Sequence, residues 1–220
     1  MGTVMLGTEV AKAMKERLIQ RTEALKERGT EPKLAILRVG ARPDDLSYER
    51  GAKKRMELTG IGCQVVELPE DVSQRELEES LKSLNRDSSV HGILVLRPLP
   101  RHLDEEPLTR IIDPVKDVDC MSPVNIAKIF SGDASGYAPC TPEAVMEMLD
   151  HYGIDPKGKK VTVIGRSMWW ASLWLCCSLV VMPQSPSVTP GQQTLPRRAG
   201  MRRYWWPLRE RRKWWALPWQ

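Results

Sequence analysis

Apolar residues near the start of the chain recur every three or four positions. Val10, Met14, Leu18, Ile19 and Leu25 are set among Lys, Arg and Glu, which predicts an amphipathic helix over residues 8–28. The pattern then changes. "KLAILRVG", residues 33–40, is a short continuous apolar run closed by Gly, the mark of a buried strand. "DDLSYERGAKKRMELTG" returns to helical character over residues 44–60, with Gly60 as its stop. "CQVVELP" reads as a second strand. Residues 73–84 read as another helix, with Ser73 as N-cap and Glu76 three positions on completing a capping box. "HGILVLRPLP" is a third strand, halted by Pro98 and Pro100. Strand, helix, strand, helix, strand is the rhythm of a parallel α/β sheet.

Residues 111–125, "IIDPVKDVDCMSPVN", show no clean period and read as loop. "CTPEAVMEMLDHYG" restores a helix, with Thr141 as N-cap, Pro142 in the first helical position and Gly153 at the end. "KGKKVTVIGRS" then begins a new strand and a glycine turn of the kind that opens a phosphate-binding helix. From residue 169 the periodicity ends. The remainder holds five prolines between Pro183 and Pro207 and finishes in an Arg/Trp-rich stretch. The expected organisation is one α/β domain over 1–139, a linker helix and the start of a second domain over 140–168, and an irregular, disordered tail over 169–220.

Composition sharpens that last boundary. The 220 residues carry 33 basic and 28 acidic side chains, but residues 169–220 hold eight of the basic and one of the acidic. The first 168 residues therefore carry 25 basic and 27 acidic side chains, and all eight Trp lie beyond them. The overall charge of +5 is thus a property of the tail. A basic, aromatic end such as "RRYWWPLRERRKWW" has the chemistry to meet nucleic acid or anionic lipid, but the reading favours no nucleic-acid and no membrane partner. The five cysteines form no CxxC pair and no metal-ligand spacing with the three His. No metal is expected, and a reducing, cytoplasmic setting is.

Five motifs in order carry a further reading: "VGARPDDLSYERGAKKR", "GILVLRPLP", "KDVD", "PCTP" and "GRS". Through them residues 1–168 resemble the bifunctional methylenetetrahydrofolate dehydrogenase/methenyltetrahydrofolate cyclohydrolase family. The resemblance implies a parallel-sheet catalytic domain followed by a Rossmann-type NADP domain, here reduced to its first strand, with a folate in the cleft between them. It implies NADP-linked oxidation of 5,10-methylenetetrahydrofolate to the methenyl form, hydrolysis of that form to 10-formyltetrahydrofolate, and a homodimer.

The family's site residues carry over one at a time. Tyr48 matches a Tyr that stacks on the folate ring system, although packing in the core would also suit it. The family's Lys, four residues on and so on the same helical face, is Ala52 here. The Gln that holds that Lys is Leu96. An ammonium beside the one-carbon bridge would polarise it and help activate water, and Ala and Leu can do neither. Lys54 stands nearby as a displaced candidate cation, about 200° around the helix from residue 52, while a solvated surface lysine is the plainer reading. Arg55 shares the face of Tyr48, but its guanidinium does not deprotonate usefully. Arg97 follows Leu96 and so faces the other way. Pro98, Leu99 and Pro100 match a turn lining the cleft, or simply end a strand. Asp119 matches the carboxylate that anchors the pterin, with Asp117 as the residue most easily confused with it. Cys120 stands where the family usually has Gly, and Cys140 is expected to be buried rather than reactive.

Gly165, Arg166 and Ser167 match cofactor contacts. In the family "GRS" leads to a hydrophobic pair, Gly, Pro and an Ala/Leu-rich helix, whereas here "MWWASLWLCC" follows. Trp has a single codon, so each Trp fixes three bases. If one base was lost near the codon of Trp169, "MWWASLWLCC" can be read back as MVVGKPLAML, the missing helix start. "VMPQSPSVTPG" likewise admits NATVTVCHSR, and "YWWPLRERRKWW" admits LVAAAGRRKVV. Residues from about 169 are therefore expected to be a frameshifted translation, which leaves NADP binding doubtful and catalysis impaired. The other reading is a non-catalytic folate-binding or dimerising remnant.

Overall fold

The computed structural model describes residues 4–156, together with the short strands at Thr162–Ile164 and Trp205–Pro207. Three strands, β1 (Lys33–Val39), β2 (Gly62–Leu68) and β3 (Gly92–Val95), form one parallel sheet in the order β2-β1-β3. Lys33 stands beside Gly62 and Leu34 beside Gly92, so all three strands start level. Helices α1 (Gly7–Glu27), α2 (Pro43–Thr59) and α3 (Gln74–Arg86) fill the intervals predicted for them. β1 is central and buried over its last five residues, as its unbroken apolar run requires. β2 lies at an edge, and its residues are half-buried or exposed.

α3 buries Leu77, Leu81 and Leu84 on one side. Its capping box is complete: the Glu76 N–H donates to the Ser73 hydroxyl at 3.3 Å, and the Ser73 N–H donates to the Glu76 carboxylate at 3.1 Å. These leucines join Ala35, Leu37 and Val39 of β1 with Ile93 and Val95 of β3 in one core. α1 follows the predicted period less closely, since Val10 is buried but Leu25 is 40 % exposed. Gly60 ends α2 in the left-handed conformation, as predicted.

Two elements correct the sequence reading. The stretch taken as loop contains the start of α5 (Pro123–Ser131), and α4 (Glu106–Ile111) precedes it. α5 starts by a local rule: the Ser122 hydroxyl accepts the Val124 N–H at 3.1 Å, with Pro123 in the first turn. The next helix, α6 (Cys140–His151), begins earlier than expected. Pro139, not Thr141, is its N-cap, and no side chain caps it. Gly153 takes the left-handed conformation just beyond its end. α6 is tied back to α1 by the Arg17–Glu147 ion pair at 2.5 Å, and the Leu6 N–H donates to the Tyr152 hydroxyl at 2.8 Å.

Beyond α6, β4 (Thr162–Ile164) pairs in parallel with β5 (Trp205–Pro207), so part of the segment expected to be irregular is a short strand. Gly165, Arg166 and Ser167 and the rest of the tail lie outside the described residues. Among the described residues no helix is long and apolar enough to cross a membrane. Among the same residues no cluster of His, Cys, Asp and Glu could hold a metal ion.

Candidate functional site

The sheet's carboxyl ends lead into the segments that hold the candidate residues, where open parallel sheets bind ligands. α2 leaves β1 through Gly40 and starts with Pro43, with Asp44 and Asp45 in its first turn, where acidic groups suit the helix dipole. A buried ion network fixes it to the sheet. Arg38 Nε meets Glu49 Oε2 at 2.7 Å, Arg38 Nη2 meets Glu67 at 2.8 Å, and Lys53 meets the other Glu49 oxygen at 2.7 Å. Arg38 and Glu49 are only 4 % and 5 % exposed. Burial works against both charges, but the partners outweigh it. Arg38 is pushed above its ordinary value, and Glu49 is held below the usual carboxylate range.

Tyr48, next to Glu49, therefore faces away from this network and leaves its ring 58 % exposed. A core-packing role for Tyr48 is excluded by that exposure. Its phenol is pushed up first by burial, then by the charges of Cys140 and Asp119, against a smaller opposing effect of Arg55. Ala52, one turn along, offers no polar group to that face. Lys54 is exposed, with no hydrogen bond or ion pair among the described residues, and Lys53 is taken by Glu49.

The two aspartates of "KDVD" separate cleanly in space. Asp117 is fully buried and accepts from the Met121 N–H at 3.0 Å, the Ser122 N–H at 2.8 Å and Asn125 Nδ2 at 3.0 Å. It also pairs as a bridge beside Ile93, so it organises the loop and is closed to a ligand. Asp119 projects from that loop and remains partly open. Cys120 follows with φ 55°, the left-handed region where glycine is at ease, which gives a physical reason for the Gly usual there in the resembling family. Gly92 lets the loop approach the sheet: a Cβ there would lie 2.7 Å from Val118 Cγ1.

Leu96 still donates its N–H to Leu37 O at 2.9 Å, and its side chain is 8 % exposed. Arg97, expected to face away from the site by strand alternation, lies past the end of β3, where that alternation no longer holds. No motif in the chain marks its partner. Its Nη2 meets Asp119 Oδ2 at 2.9 Å, a pair 22 residues apart in the chain. Cys140 joins the group from the start of α6. Its Sγ donates to Val118 O at 3.4 Å, and burial, followed by the Asp119 charge, pushes its thiol up to about 11. It is a thiol at neutral pH, consistent with an unreactive role, although its residue surface is exposed rather than buried as expected.

Tyr48, Asp119, Arg97 and Cys140 thus come together. Pro98, Leu99 and Pro100 sit beside them but line a separate open hollow of about 1040 Å³ with Arg42, Glu70, Arg101 and His102. Arg42 Nη1 donates to Pro98 O at 2.9 Å across it. For a dinucleotide, the described part of the second unit offers only the two short strands, and the three residues matched to cofactor contacts lie outside it.

Residues 5–119 match the tetrahydrofolate dehydrogenase/cyclohydrolase catalytic domain, and residues 139–172 match the NAD(P)-binding domain of the same proteins. The bifunctional protein FolD of Clostridioides difficile is 54 % identical over 167 residues, 76 % of this chain and 58 % of that protein. FolD of Alkaliphilus oremlandii is 52 % identical over 168 residues, 76 % of this chain and 59 % of its own length. The chain therefore spans about three fifths of the length of these curated relatives. Among solved structures, the Campylobacter jejuni FolD methylenetetrahydrofolate dehydrogenase/cyclohydrolase superposes with a TM-score of 0.83 at 34 % identity, covering 88 % of this chain and 69 % of that one. The Trypanosoma brucei enzyme, solved with NADP and an inhibitor, gives 0.74 at 34 % identity, covering 80 % and 61 %.

Proposed function

The chain belongs to the tetrahydrofolate dehydrogenase/cyclohydrolase family, and we propose that it binds a reduced folate in its first domain while turning it over poorly. The carrying observation is that the exposed Tyr48 ring lies close enough to Asp119 to feel its charge, with Ala52 one helical turn from Tyr48. Asp119 accepts the amino and ring N–H donors of the pterin, and the exposed Tyr48 ring offers a stacking surface. The family reaction is NADP-linked oxidation of 5,10-methylenetetrahydrofolate followed by hydrolysis to 10-formyltetrahydrofolate.

Each half of that reaction meets an obstacle here. Hydrolysis needs an activated water, and the positions that would supply a titrating cation and its polar partner are Ala52 and Leu96. Arg97 is taken by Asp119, and Lys54 projects from another face of the helix. NADP supplies the hydride acceptor when bound. The residues proposed to hold it, Gly165, Arg166 and Ser167, need a following helix that "MWWASLWLCC" does not encode. We infer that residues from about 169 are a frameshifted translation. The back-read MVVGKPLAML supports this, as does similarity to curated relatives that runs for 167–168 residues.

Calorimetry of the full chain with tetrahydrofolate, beside an absorbance assay with methylenetetrahydrofolate and NADP, tests the reading. Binding without turnover is expected. Inserting one base at codon 169 is expected to restore NADP-linked oxidation, and adding Ala52→Lys with Leu96→Gln to that repaired chain should raise methenyl hydrolysis. Turnover by the unaltered chain, or no binding of tetrahydrofolate, would overturn it. Sequencing of the gene against close relatives that finds no missing base would remove the frameshift.

A further inference from the structure

Arg97 has no role among the residues carried over from the family, yet it pairs with one of them, Asp119. Arg97 leaves the end of β3, while Asp119 rides on the loop that Asp117 anchors from inside. The pair therefore ties the strand to the loop across the mouth of the site, with side chains 36 % and 23 % exposed. A surface ion pair of that openness contributes little to stability. Its effect falls instead on where the carboxylate points.

We propose that Arg97 is a positioning residue for substrate: its guanidinium holds Oδ2 of Asp119 and fixes the orientation in which that carboxylate accepts the N–H donors of a pterin ring. This rests on the folate-binding reading above and extends it to the residue that selects the orientation. Three facts support it. Arg97, just past the end of β3, reaches the Asp119 carboxylate while Leu96 beside it is buried. The 2.9 Å contact engages one carboxylate oxygen, and a carboxylate has lone pairs enough to accept from Arg and from a ligand together. Lastly, a guanidinium is less strongly hydrated than an ammonium, so the pair tolerates the desolvation that a docked pterin imposes. The positive charge of this site thus serves the anchor of the ring rather than position 52 beside the one-carbon bridge. That placement favours holding a folate over hydrolysing it.

The test is calorimetry of tetrahydrofolate binding to the full chain and to Arg97→Gln, Arg97→Lys, Asp119→Asn and the double variant, with thermal unfolding of each. Arg97→Gln is expected to weaken binding about tenfold without moving the unfolding midpoint, and Arg97→Lys to recover all but about threefold of it. In the Asp119→Asn background, Arg97→Gln should cost nothing further, because the two act as one unit. Equal affinity of Arg97→Gln and the unaltered chain would overturn the proposal, and so would a full additional loss in the Asp119→Asn background. An unaltered chain that binds no tetrahydrofolate overturns the folate reading beneath it, a failure distinguishable from the other two because it precedes any substitution.

Discussion

Gly92 and Asp119 are coupled by distance of approach rather than by chemistry. The loop carrying Asp119 lies against β3 so closely that an added methyl at residue 92 would meet Val118 at 2.7 Å. Val118 is β-branched and has little rotamer freedom to yield, so the loop backbone must move. Gly92→Ala is therefore expected to destabilise the chain by about 2 kcal/mol, the usual cost of overpacking. It should also weaken tetrahydrofolate binding by displacing Asp119. Urea denaturation together with calorimetry checks this, and a variant with unchanged stability and affinity would show that the loop is not pressed against the strand. Cys120 works within the same loop from the other direction, holding a left-handed backbone that a glycine would adopt without a Cβ penalty.

At the scale of elements, α2 matters because it carries Tyr48, and its attachment to β1 is ionic where most of the core is apolar. Glu49 accepts from Arg38 inside and from Lys53 outside. Removing one member of such a buried pair leaves a charge short of its partner, which costs more than the intact pair gains. Glu49→Gln is expected to destabilise the fold by about 3 kcal/mol, read as a lower urea midpoint at neutral pH. A change below about 0.5 kcal/mol would mean that Glu67 alone satisfies Arg38. α4 and α5 teach a different lesson about elements. Both are short, and α5 rests on a Ser-Pro start whose hydrophobic period is too brief to stand out from the flanking loop.

For the whole molecule, the described carboxylates with resolved shifts all lie below their ordinary range. Glu49 is held there by Lys53 and Arg38 against burial, Glu76 by the Ser73 hydroxyl and N–H, and Glu79 chiefly by Lys82. Asp87 is held by Ser89, and Asp133 by Ser135. A carboxylate depressed in the folded state binds fewer protons than in the unfolded chain, so acid favours unfolding. The stability these groups contribute is present above the unfolded values of 3.8 for Asp and 4.5 for Glu, and is lost as pH falls through the folded ones. The urea midpoint should thus decline from about pH 5 downward, with Glu49→Gln flattening part of that slope. A midpoint that holds or rises toward pH 3 would contradict these assignments.

Most of the architecture could be read locally. Each strand of the three-stranded sheet and each of the first three helices is announced by a local run or period, and Ser73 with Glu76 closes its box within four residues. Burial of one face leaves its imprint on neighbouring letters, so the chain alone determined the β-α-β order and the parallel sheet, while Tyr48 and Asp119 stood out only through the family resemblance. The same letters did not distinguish the roles of Asp117 and Asp119, nor give Arg97 a partner. Those depend on contacts between residues that sequence leaves far apart: Ile93 beside Asp117, Gly92 beneath Val118, Arg97 reaching Asp119. Only the packed sheet and loop decide which carboxylate is shut inside by backbone donors and which is left partly open, because solvation and distance belong to the assembled fold and not to any stretch of the chain.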